Sequence, residues 1–462
     1  MIRHAPTLPS AGAGTATFAV VGGGISGLAA AYRIRAAVGA EPTILVFDPA
    51  DRLGGVLRTV RLCGQPFDIG AEAFIVRRPE VPALLAELGL SDRKIVPTGV
   101  KTTIYSQGRL HPLPTGTLNG IPSSAESMTG LVDAETVLRI AGEANRPWQW
   151  RPGADPAVAE VVAPRFGEQV VARSLDPMLS GVYAGSAGTI GLRAAAPTLA
   201  AALDGGAPSL TAAVRAALPA GPGGPVFGAI EGGYRVLVDQ LVARSGLRWE
   251  PTAITGLHAA DRGWELSDDT GARWRADAVV VALPAPRAAE LLSDAAPAAA
   301  AVADGVPVAS AAVLALGLPA GTPFPPQSGV LVATGESLHA KAITLTSRKW
   351  GARGEAELVR LSFGRFADGI ARGTPDDDLR AWALEDLDTV FGITAEPIEV
   401  KVHRWIDAMP QYGPGHADLI AGLRAGLPPT LAVAGNYLDG VGVPGCLVAA
   451  GRAATAVAEA VS

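Results

Sequence analysis

The fold is decided near the start of the chain, by Phe18-Ala19-Val20-Val21-Gly22-Gly23-Gly24-Ile25-Ser26-Gly27. Its first four residues form an apolar run that stops at three glycines, which predicts a buried strand. Helix-forming residues follow as far as Val38, and Gly39 stands where a helix commonly ends. A second apolar run, Thr43–Phe47, ends at Asp48. The stretch therefore predicts a strand–helix–strand unit.

The turn of this unit has the G-x-G-x-x-G spacing of a dinucleotide-binding site. Gly22 allows the tight turn, Gly24 lets the backbone approach a pyrophosphate, and Gly27 permits close packing of the helix on the strand. The helix N-terminus supplies partial positive charge. Asp48, at the end of the second strand, would accept hydrogen bonds from an adenosine ribose. The alternative is a glycine-rich turn that binds nothing.

The residues that follow favour FAD over NAD. Asp48-Pro49-Ala50-Asp51-Arg52-Leu53-Gly54-Gly55 has the form acid-x-x-x-Arg-x-Gly-Gly. Arg52 can neutralise the diphosphate, and Gly54 and Gly55 can turn the chain beneath the ribityl end of a flavin. A surface role for Arg52 is the alternative. The extended pattern resembles the FAD-binding half of the amine-oxidase-like flavoprotein superfamily.

The last motif, Ala434–Pro444, predicts a strand, a loop and a helix whose N-terminus points at the flavin ring. Gly440 and Gly442 permit close backbone approach; a plain connection between strand and helix is the alternative. Cys446 raises the question of a covalent flavin, but it lies inside the predicted helix, after the loop. We therefore expect non-covalent FAD and a small buried side chain at Cys446.

Taken together, these stretches resemble the protoporphyrinogen/coproporphyrinogen oxidases, FAD enzymes of late haem synthesis. The matching segments span nearly the whole chain in the family's order, at Val20–Gly27, Asp48–Thr59, Phe67–Phe74, Glu87–Leu90, Gly108–Pro114, Glu231–Tyr234, Arg404–Trp405, Met409–Tyr412, Gly415–His416 and Gly435–Cys446. Asp48 stands where the family more often has Glu. Ala253 stands where its adenine contact is usually Val.

The resemblance implies cofactor contacts along the whole length of the chain. They would be Gly22, Gly23, Gly24, Ile25, Ser26, Gly27, Asp48, Pro49, Arg52, Gly54, Gly55, Val56, Leu57, Gly70, Ala71, Glu72, Ala253, Trp405, Asn436, Val441, Gly442 and Val443.

The similarity is greatest to the family's soluble Gram-positive type. It implies an oxygen-dependent flavoprotein acting on CH–CH donors, which oxidises coproporphyrinogen III to coproporphyrin III in haem biosynthesis. In each of three rounds one hydride passes to the flavin while a pyrrole N–H loses a proton, so that six electrons leave the substrate in all and three O2 become three H2O2. Protoporphyrinogen IX as substrate is one alternative. A flavin amine oxidase or a desaturase of the same fold is a second, and a non-catalytic escort protein is a third.

Candidate substrate contacts come from the segment predicted to face the flavin. Glu72 could orient substrate N–H groups or simply bond to neighbouring backbone. Arg77 and Arg78 could pair with propionates, or form a solvated loop pair. No residue is convincing as a dedicated catalytic base. We expect structural roles for His111 and His416.

Bulk properties exclude several classes of protein. The net charge of −6 argues against nucleic-acid binding. The two cysteines fit a reducing cytoplasm, and no His/Cys spacing suggests a metal site. The most apolar window, Ala295–Leu318, contains Asp304 and Pro307, so we predict no transmembrane segment. Residues 1–16 are interpreted as a loose tail. A ferrochelatase is a candidate acceptor for the product.

The predicted fold class is mixed α/β. A Rossmann-type FAD-binding domain would be built from residues 15–96, 225–300 and 425–462. A mixed-sheet substrate-binding domain would take residues 97–117 and 301–424, and a helical subdomain residues 118–224. The Gly/Pro-rich stretch Pro219–Pro225 is the clearest linker.

Overall fold

The structure is a computed structural model and describes residues 15–219 and 224–462. The predicted N-terminal tail therefore falls almost entirely outside the described residues. So does the centre of the predicted linker, at residues 220–223.

The described residues form short strands that belong to several separate sheets. They are β1 (Thr17–Val21), β2 (Thr43–Phe47), β3 (Thr59–Leu62), β4 (Gln65–Asp68), β5 (Phe74–Ile75), β6 (Lys94–Ile95), β7 (Lys101–Ser106), β8 (Arg109–Pro112), β9 (Thr117–Leu118), β10 (Ile121–Pro122), β11 (Phe227–Ile230), β12 (Arg248–Glu250), β13 (Ile254–Ala259), β14 (Trp264–Asp268), β15 (Arg273–Ala276), β16 (Ala278–Val281), β17 (Val308–Leu318), β18 (Gln327–Val332), β19 (Ala342–Leu345), β20 (Glu357–Phe363), β21 (Glu399–Pro410) and β22 (Leu431–Val433).

Helices alternate with these strands or cluster between them. They are α1 (Ile25–Val38), α2 (Glu80–Glu87), α3 (Ala134–Ala141), α4 (Val158–Phe166), α5 (Glu168–Val170), α6 (Asp176–Tyr183), α7 (Leu192–Ala195), α8 (Pro197–Asp204), α9 (Leu210–Ala217), α10 (Arg235–Ser245), α11 (Ala285–Leu292), α12 (Pro297–Asp304), α13 (Thr346–Trp350), α14 (Ile370–Gly373), α15 (Asp376–Phe391), α16 (His416–Ala425) and α17 (Val443–Val461).

The first sheet is parallel, with the strand order β12-β2-β1-β16-β22. Alternate residues of β1 pack on opposite sides, because successive side chains of a strand point to opposite faces. Phe18 and Val20 pack with α1 and α17, whereas Ala19 and Val21 pack with β13–β14 and α11–α12. Burial on both faces explains why the strands are continuous apolar runs.

The second sheet is larger and mainly antiparallel, with the order β21-β17-β20-β19-β18-β7-β8. Helix α15 packs on one face through Leu379, Ala383 and Leu387. The opposite face packs against the β3–β4 hairpin through Val313 and Ala315. The hairpin therefore brings residues that follow the first βαβ unit onto the second sheet.

Helices α3–α9 pack around a third core, with Phe166 and Leu199 at its centre. All strands of the first sheet come from segments predicted for the FAD-binding domain, and all strands of the second come from segments predicted for the substrate domain. The division into domains stays a prediction. Among the described residues, no helix has the length and apolar character needed to cross a membrane.

The fold class and many individual elements agree with the sequence predictions. The βαβ unit is confirmed, as is the helix predicted after the last motif, which runs over Val443–Val461. The amphipathic pattern of residues 376–391 also predicts a helix, and the structure has one over Asp376–Phe391. The sequence of the apolar window at residues 295–318 predicts a helix end, a loop and a strand, and the structure has α12, a loop and β17 there. Strand signals over residues 247–254 predict a single strand, which the structure divides into β12 and β13.

Candidate active site

The glycine-rich turn lies between β1 and α1 and is shaped by contacts that exclude side chains. Gly22 has φ +109°, and a Cβ there would lie 2.4 Å from the carbonyl oxygen of Ala282. A Cβ on Gly27 would lie 1.9 Å from the oxygen of Gly22. Around a Cβ on Gly24, by contrast, the nearest atom is the Cα of Gly55, at 3.9 Å. Two glycines thus serve packing, and the third borders open space.

That open space lies in front of a helix end that no side chain caps. Gly24 is the N-cap of the 14-residue α1, and within residues 15–219 and 224–462 no side chain caps that helix end. Gly442, the N-cap of the 19-residue α17, is also without a side-chain cap. The two helices pack against each other. A bound anion or an electron-rich ring would satisfy these free donors, so both ends fit the predicted cofactor.

Asp48 holds the turn in place while retaining acceptor capacity. Its Oδ2 accepts a hydrogen bond from the backbone N–H of Gly23 at 2.7 Å, and its Oδ1 accepts one from Ala50 at 2.9 Å. Each carboxylate oxygen has a further lone pair. The exposed Pro49 follows directly. The arrangement is compatible with the predicted bonds from ribose hydroxyls.

Arg52 is directed at its own loop. Its Nη1 donates to the carbonyl oxygens of Leu53 and Leu57 at 3.1 and 3.2 Å, and its Nη2 donates to Gly55 at 2.5 Å. Its Nε is buried and finds no hydrogen-bond partner among the residues that the structure describes. Burial lowers the pKa of Arg52 from its ordinary value, and the nearby Arg58 adds to that effect. The guanidinium of Arg52 therefore carries a positive charge and one unused buried donor, and a bound anion could interact with both. The predicted contact of Arg52 with the diphosphate remains a proposal that this arrangement supports.

The predicted cofactor segments of the first half of the chain meet at this turn. Gly54 has φ +111°, and its N–H donates to the oxygen of Gly23 at 2.8 Å. The oxygen of Val56 accepts from Ala71 at 3.1 Å. A Cβ on Gly70 would lie 1.8 Å from the same oxygen, so the backbones approach closely there.

The apolar residues of these segments share one cluster with the start of α17. Its members include Ile25, Leu57, Val443 and Cys446. Burial raises the pKa of the Cys446 thiol to about 11, against a hydrogen bond with Ser26 that lowers it. A protonated, buried thiol is a poor nucleophile, which agrees with the expectation of a small buried side chain.

The chain from Asp68 to Glu72 is clamped by a residue that sequence reasoning missed. Arg360, on β20, donates to the carbonyl oxygens of Asp68 and Gly70 at 2.9 and 2.8 Å. The indole Nε1 of Trp405 donates to the oxygen of Ile69 at 3.1 Å. Trp405 therefore lies beside this segment, and its contact with the cofactor stays a prediction.

Glu72 has partners far away in the sequence. Its Oε2 lies 2.7 Å from the Nζ of Lys349, and its Oε1 accepts a hydrogen bond from Trp350 Nε1 at 3.0 Å. Burial alone would raise the pKa of Glu72, but the charges of Lys349 and Arg360 hold it below the ordinary value. Both carboxylate oxygens of the ionised Glu72 thus already have a partner in the protein. If Glu72 also contacts the substrate, as predicted, its oxygens must accept further hydrogen bonds.

Arg77 and Arg78 are exposed on the loop before α2. Arg78 forms an ion pair with Glu80, 2.6 Å between Nη2 and Oε1, and keeps nearly half of its side-chain surface exposed. This favours the solvated-loop alternative for Arg78. The propionate role of both residues stays a prediction.

The last motif is held by Tyr412, whose contribution sequence reasoning left open. Its hydroxyl donates to the oxygen of Asn436 at 2.6 Å and accepts from the N–H of Gly440 at 2.9 Å. Asn436 Nδ2 donates to the oxygen of Ala408 at 2.9 Å. The ring of His416 bonds to the oxygen of Tyr437 at 2.8 Å, which is the structural role expected of it. Val441 and Gly442 follow and lead into α17.

Two further sites complete the placement of the predicted residues. Ala253 lies between β12 and β13, and its oxygen accepts from Asp269 at 2.9 Å. Two hydrogen bonds join Asp48 to β12: the N–H of Asp48 donates to the carbonyl oxygen of Glu250, and the indole Nε1 of Trp249 donates to the carbonyl oxygen of Asp48. Ala253 is thus near the ribose end of the predicted site. His111 is buried and bonds to the oxygen of Ser106, a structural role.

Comparison with known proteins gives this geometry a context. The model of the flavin-containing amine oxidoreductase family matches residues 25–458. Coproporphyrinogen III oxidase of Mycobacterium tuberculosis (strain H37Rv) is 65% identical over 444 residues, which cover 96% of this chain and 98% of that protein. The Bacillus subtilis (strain 168) protein of the same name is 28% identical, over 93% of this chain and 95% of its own length.

Solved structures show the same fold. A crystal structure from Exiguobacterium sp. 255-15, provisionally named protoporphyrinogen oxidase, has a TM-score of 0.86 and 28% identity, covering 96% of this chain and 99% of its own. Cyclohexylamine oxidase from Brevibacterium oxydans IH-35A has a TM-score of 0.69 and 17% identity, over 97% and 99% of the two chains. At that identity the second likeness concerns the fold alone.

Proposed function

The chain belongs to the flavin-containing amine oxidoreductase family, and on that premise we propose that it oxidises coproporphyrinogen III to coproporphyrin III with non-covalently bound FAD and molecular oxygen. The observation that carries this proposal is the 65% identity to a coproporphyrinogen III oxidase across 98% of that protein's length. The site residues are consistent with it, since the glycines of the turn are intact and the two helix ends are uncapped.

The binding of FAD would be divided among segments that the fold brings together. The N-terminus of α1, with Gly24 at its open side, suits the pyrophosphate. Asp48 and the stretch after β12 suit the adenosine end. The N-terminus of α17, after Gly442, suits the electron-rich part of the ring. Bound flavin supplies two-electron redox chemistry with oxygen as the final acceptor.

The remaining task of the protein is to position the substrate against the flavin and to exclude water from the site. Arg360 and Trp405 fix the backbone from Asp68 to Gly70, and Tyr412 fixes the last motif through Asn436 and Gly440. None of these groups has the free acid–base capacity of a general base. The proposal therefore assigns catalysis to positioning, with protons lost from the substrate's own pyrrole nitrogens.

The overall reaction balances without any further reagent. Coproporphyrinogen III loses six hydrogen atoms, as six electrons and six protons, and three molecules of oxygen become three of hydrogen peroxide. Catalysis in the cytoplasm and transfer of the product to a ferrochelatase complete the proposal. The cytoplasmic location is supported by the sparse cysteines.

Protoporphyrinogen IX is the natural comparison substrate, because protoporphyrinogen oxidases are among the relatives. A plant enzyme of that name from Arabidopsis thaliana is 30% identical, but only over 39% of this chain. The test supplies FAD-loaded protein with either porphyrinogen in air and follows porphyrin fluorescence. We expect faster oxidation of coproporphyrinogen III. Fluorescence that rises no faster than autoxidation with both substrates would refute the proposal, and a preference for protoporphyrinogen IX would change the substrate.

A further inference from the structure

A cavity of about 280 Å³ opens beside the N-terminal end of β17. Its wall combines backbone of the sheet with charged side chains from the loop around α14. The residues that matter here are Val308, Ser310, Arg365, Asp368, Arg372 and Asp407. A water molecule occupies about 30 Å³ of liquid volume, so the cavity has room for an organic carboxylate together with several waters.

The cavity lies next to the candidate active site. Asp407 is two residues beyond Trp405 on the same strand, β21. On the other side, the N–H of Phe366 donates to the oxygen of Ala184 at 2.6 Å. Ala184 follows Tyr183, whose ring centre is 5.9 Å from that of Tyr412. The wall of the cavity is thus connected, through Ala184 and Tyr183, to Tyr412, the residue that holds the last motif.

The charges in this wall are not all in direct ion pairs. Arg372 is paired with Asp407. Asp368 accepts the backbone N–H groups of Arg365 and Ile370 at 2.5 and 3.0 Å. Burial lowers the pKa of Arg365, against the charges of Asp368 and Asp176, which raise it. Among the described residues, the guanidinium of Arg365 makes one hydrogen bond, a long one of 3.4 Å to the oxygen of Val332. Within residues 15–219 and 224–462, no carboxylate oxygen lies within 4.0 Å of that guanidinium.

A second cation lies directly behind Arg365. Lys341 is only 5% exposed, and its Nζ donates to the oxygen of Gly364 at 2.6 Å. In the part of the chain that the structure describes, it too has no carboxylate within ion-pair distance. Burial lowers the pKa of Lys341 to about 7, and the charge of Arg365 contributes. Arg365 is half-buried and lines the cavity, so guanidinium donors that make no ion pair in the described residues face space that a carboxylate could fill.

We propose that Arg365, supported from behind by Lys341, forms a carboxylate-binding subsite in this cavity and receives one propionate of the tetrapyrrole. This inference rests on the proposed function. An incoming carboxylate would give Arg365 a direct partner, because the fork of its guanidinium can bind a carboxylate through two parallel hydrogen bonds. It would also favour charging of Lys341.

The subsite accounts for a preference between the two candidate substrates. Coproporphyrinogen III carries four propionates, and protoporphyrinogen IX carries two with vinyl groups in the other positions. An arginine in the wall of this cavity would strengthen the binding of a substrate that places a carboxylate there. It would weaken the binding of a substrate that places a vinyl group there, because the guanidinium would then stay without a partner. Arg365 is thus a specificity-determining residue in this account.

The test is equilibrium binding of the product, which needs no turnover. Coproporphyrin III and its tetramethyl ester are titrated, in the same detergent buffer, into FAD-loaded wild type and into Arg365→Met, and Kd is read from porphyrin fluorescence. We expect coproporphyrin III to bind Arg365→Met about 10- to 100-fold more weakly, as for the loss of a charged hydrogen bond. The ester should bind both proteins alike. Arg365→Lys should retain part of the affinity.

The control is Arg380→Met, which removes an exposed cation of α15 that is paired with Glu396. It should leave both affinities unchanged. Equal binding of coproporphyrin III to wild type and Arg365→Met would overturn the subsite while leaving the proposed function intact. Equal weakening in Arg380→Met, or of the ester, would overturn it as well, since the effect would then not be a local carboxylate contact. Free acetate that binds in competition with coproporphyrin III only when Arg365 is present would show that the subsite takes small carboxylates too. Wild type that neither binds coproporphyrin III nor oxidises its porphyrinogen would contradict both proposals.

Discussion

Lys349 Nζ lies 2.7 Å from Oε2 of Glu72, although 277 positions separate the two residues in the chain. The contact joins α13, which follows the second sheet's β19, to the segment predicted to run beside the cofactor. Both side chains are largely buried, with 17% and 16% of their surface exposed. The geometry of the candidate site therefore depends on contacts between parts of the chain that are distant in sequence.

Replacing Lys349 by Met should destabilise the protein by about 2–3 kcal/mol, because a buried carboxylate loses its nearest cation. Urea unfolding at pH 7.5 measures this loss. Since the pKa of Glu72 is held below its ordinary value, the contribution is present above the pH at which an unfolded glutamate ionises and disappears as the pH falls through the lower folded pKa. Arg33→Met is the control, because the Arg33–Glu87 pair is more than one-third exposed and should cost under about 1 kcal/mol. Similar losses in both variants would contradict the account.

Asp68 should make the stability fall as the pH rises. Burial raises its pKa to about 7, against hydrogen bonds from Thr59 and Tyr234 that lower it. Between the pKa of an unfolded aspartate, about 4, and pH 7, the folded state holds a proton that the unfolded state has lost, so folding weakens over this range. Asp68→Asn cannot titrate. The wild type should therefore lose about 2 kcal/mol more than Asp68→Asn between pH 5 and pH 8 in urea unfolding.

The comparison of the two proteins is needed because His403 acts in the opposite direction. Burial lowers its pKa to about 4, so its contribution to stability rises with pH until an unfolded histidine is neutral. That contribution is common to both proteins and cancels in the difference. Parallel pH profiles for wild type and Asp68→Asn would show that Asp68 is ionised in the folded protein throughout.

The glycines of the turn should separate into two classes. Gly24→Glu places a carboxylate in open space before α1, so the fold should survive while FAD binding is lost to charge repulsion and occupied volume. Gly27→Ala instead places a Cβ 1.9 Å from the Gly22 oxygen and should lower the melting temperature. Flavin absorbance after gel filtration, together with thermal unfolding of the apoprotein, distinguishes these effects. Gly422→Glu, on the exposed side of α16 with open space around it, is the control.

The flavin should leave the protein on acid denaturation. Cys446 is 3% exposed and its thiol stays protonated at neutral pH, so it does not form a thioether readily. Precipitation with trichloroacetic acid should release all yellow colour into the supernatant, and Cys446→Ala should bind FAD as well as wild type does. Colour retained in the wild-type pellet but absent from the Cys446→Ala pellet would identify a covalent bond.

The sequence alone was enough to predict the first βαβ unit, because a strand buried on both faces and a glycine turn leave a local signature. Gly22 could be assigned to the tight turn and Gly27 to helix–strand packing for the same reason. The partners of Glu72 could not, since Lys349, Trp350 and Arg360 have no spacing that links them to it. In the sequence, Arg360 is simply a polar residue that alternates with apolar residues in a predicted strand, and nothing marks it as a partner of Glu72.

The orientation of Arg52 was equally beyond sequence reasoning. Its loop turns back at Gly54 and Gly55, which have φ +111° and +55°, and so brings the carbonyl oxygens of residues 53, 55 and 57 around the guanidinium. Tyr412 shows the same limit. A tyrosine near the end of a strand is usually a core residue, and only the folded chain reveals that its hydroxyl joins Asn436 to Gly440.

The most direct test of the central claim is the ratio of peroxide to porphyrin in a single reaction. FAD-loaded protein is mixed with anaerobically prepared coproporphyrinogen III, oxygen is admitted, and coproporphyrin III and hydrogen peroxide are measured together against a protein-free control. The account predicts oxidation well above the control, with three peroxide molecules for each coproporphyrin III and none in Gly24→Glu. Porphyrin formation no faster than in the control would contradict it.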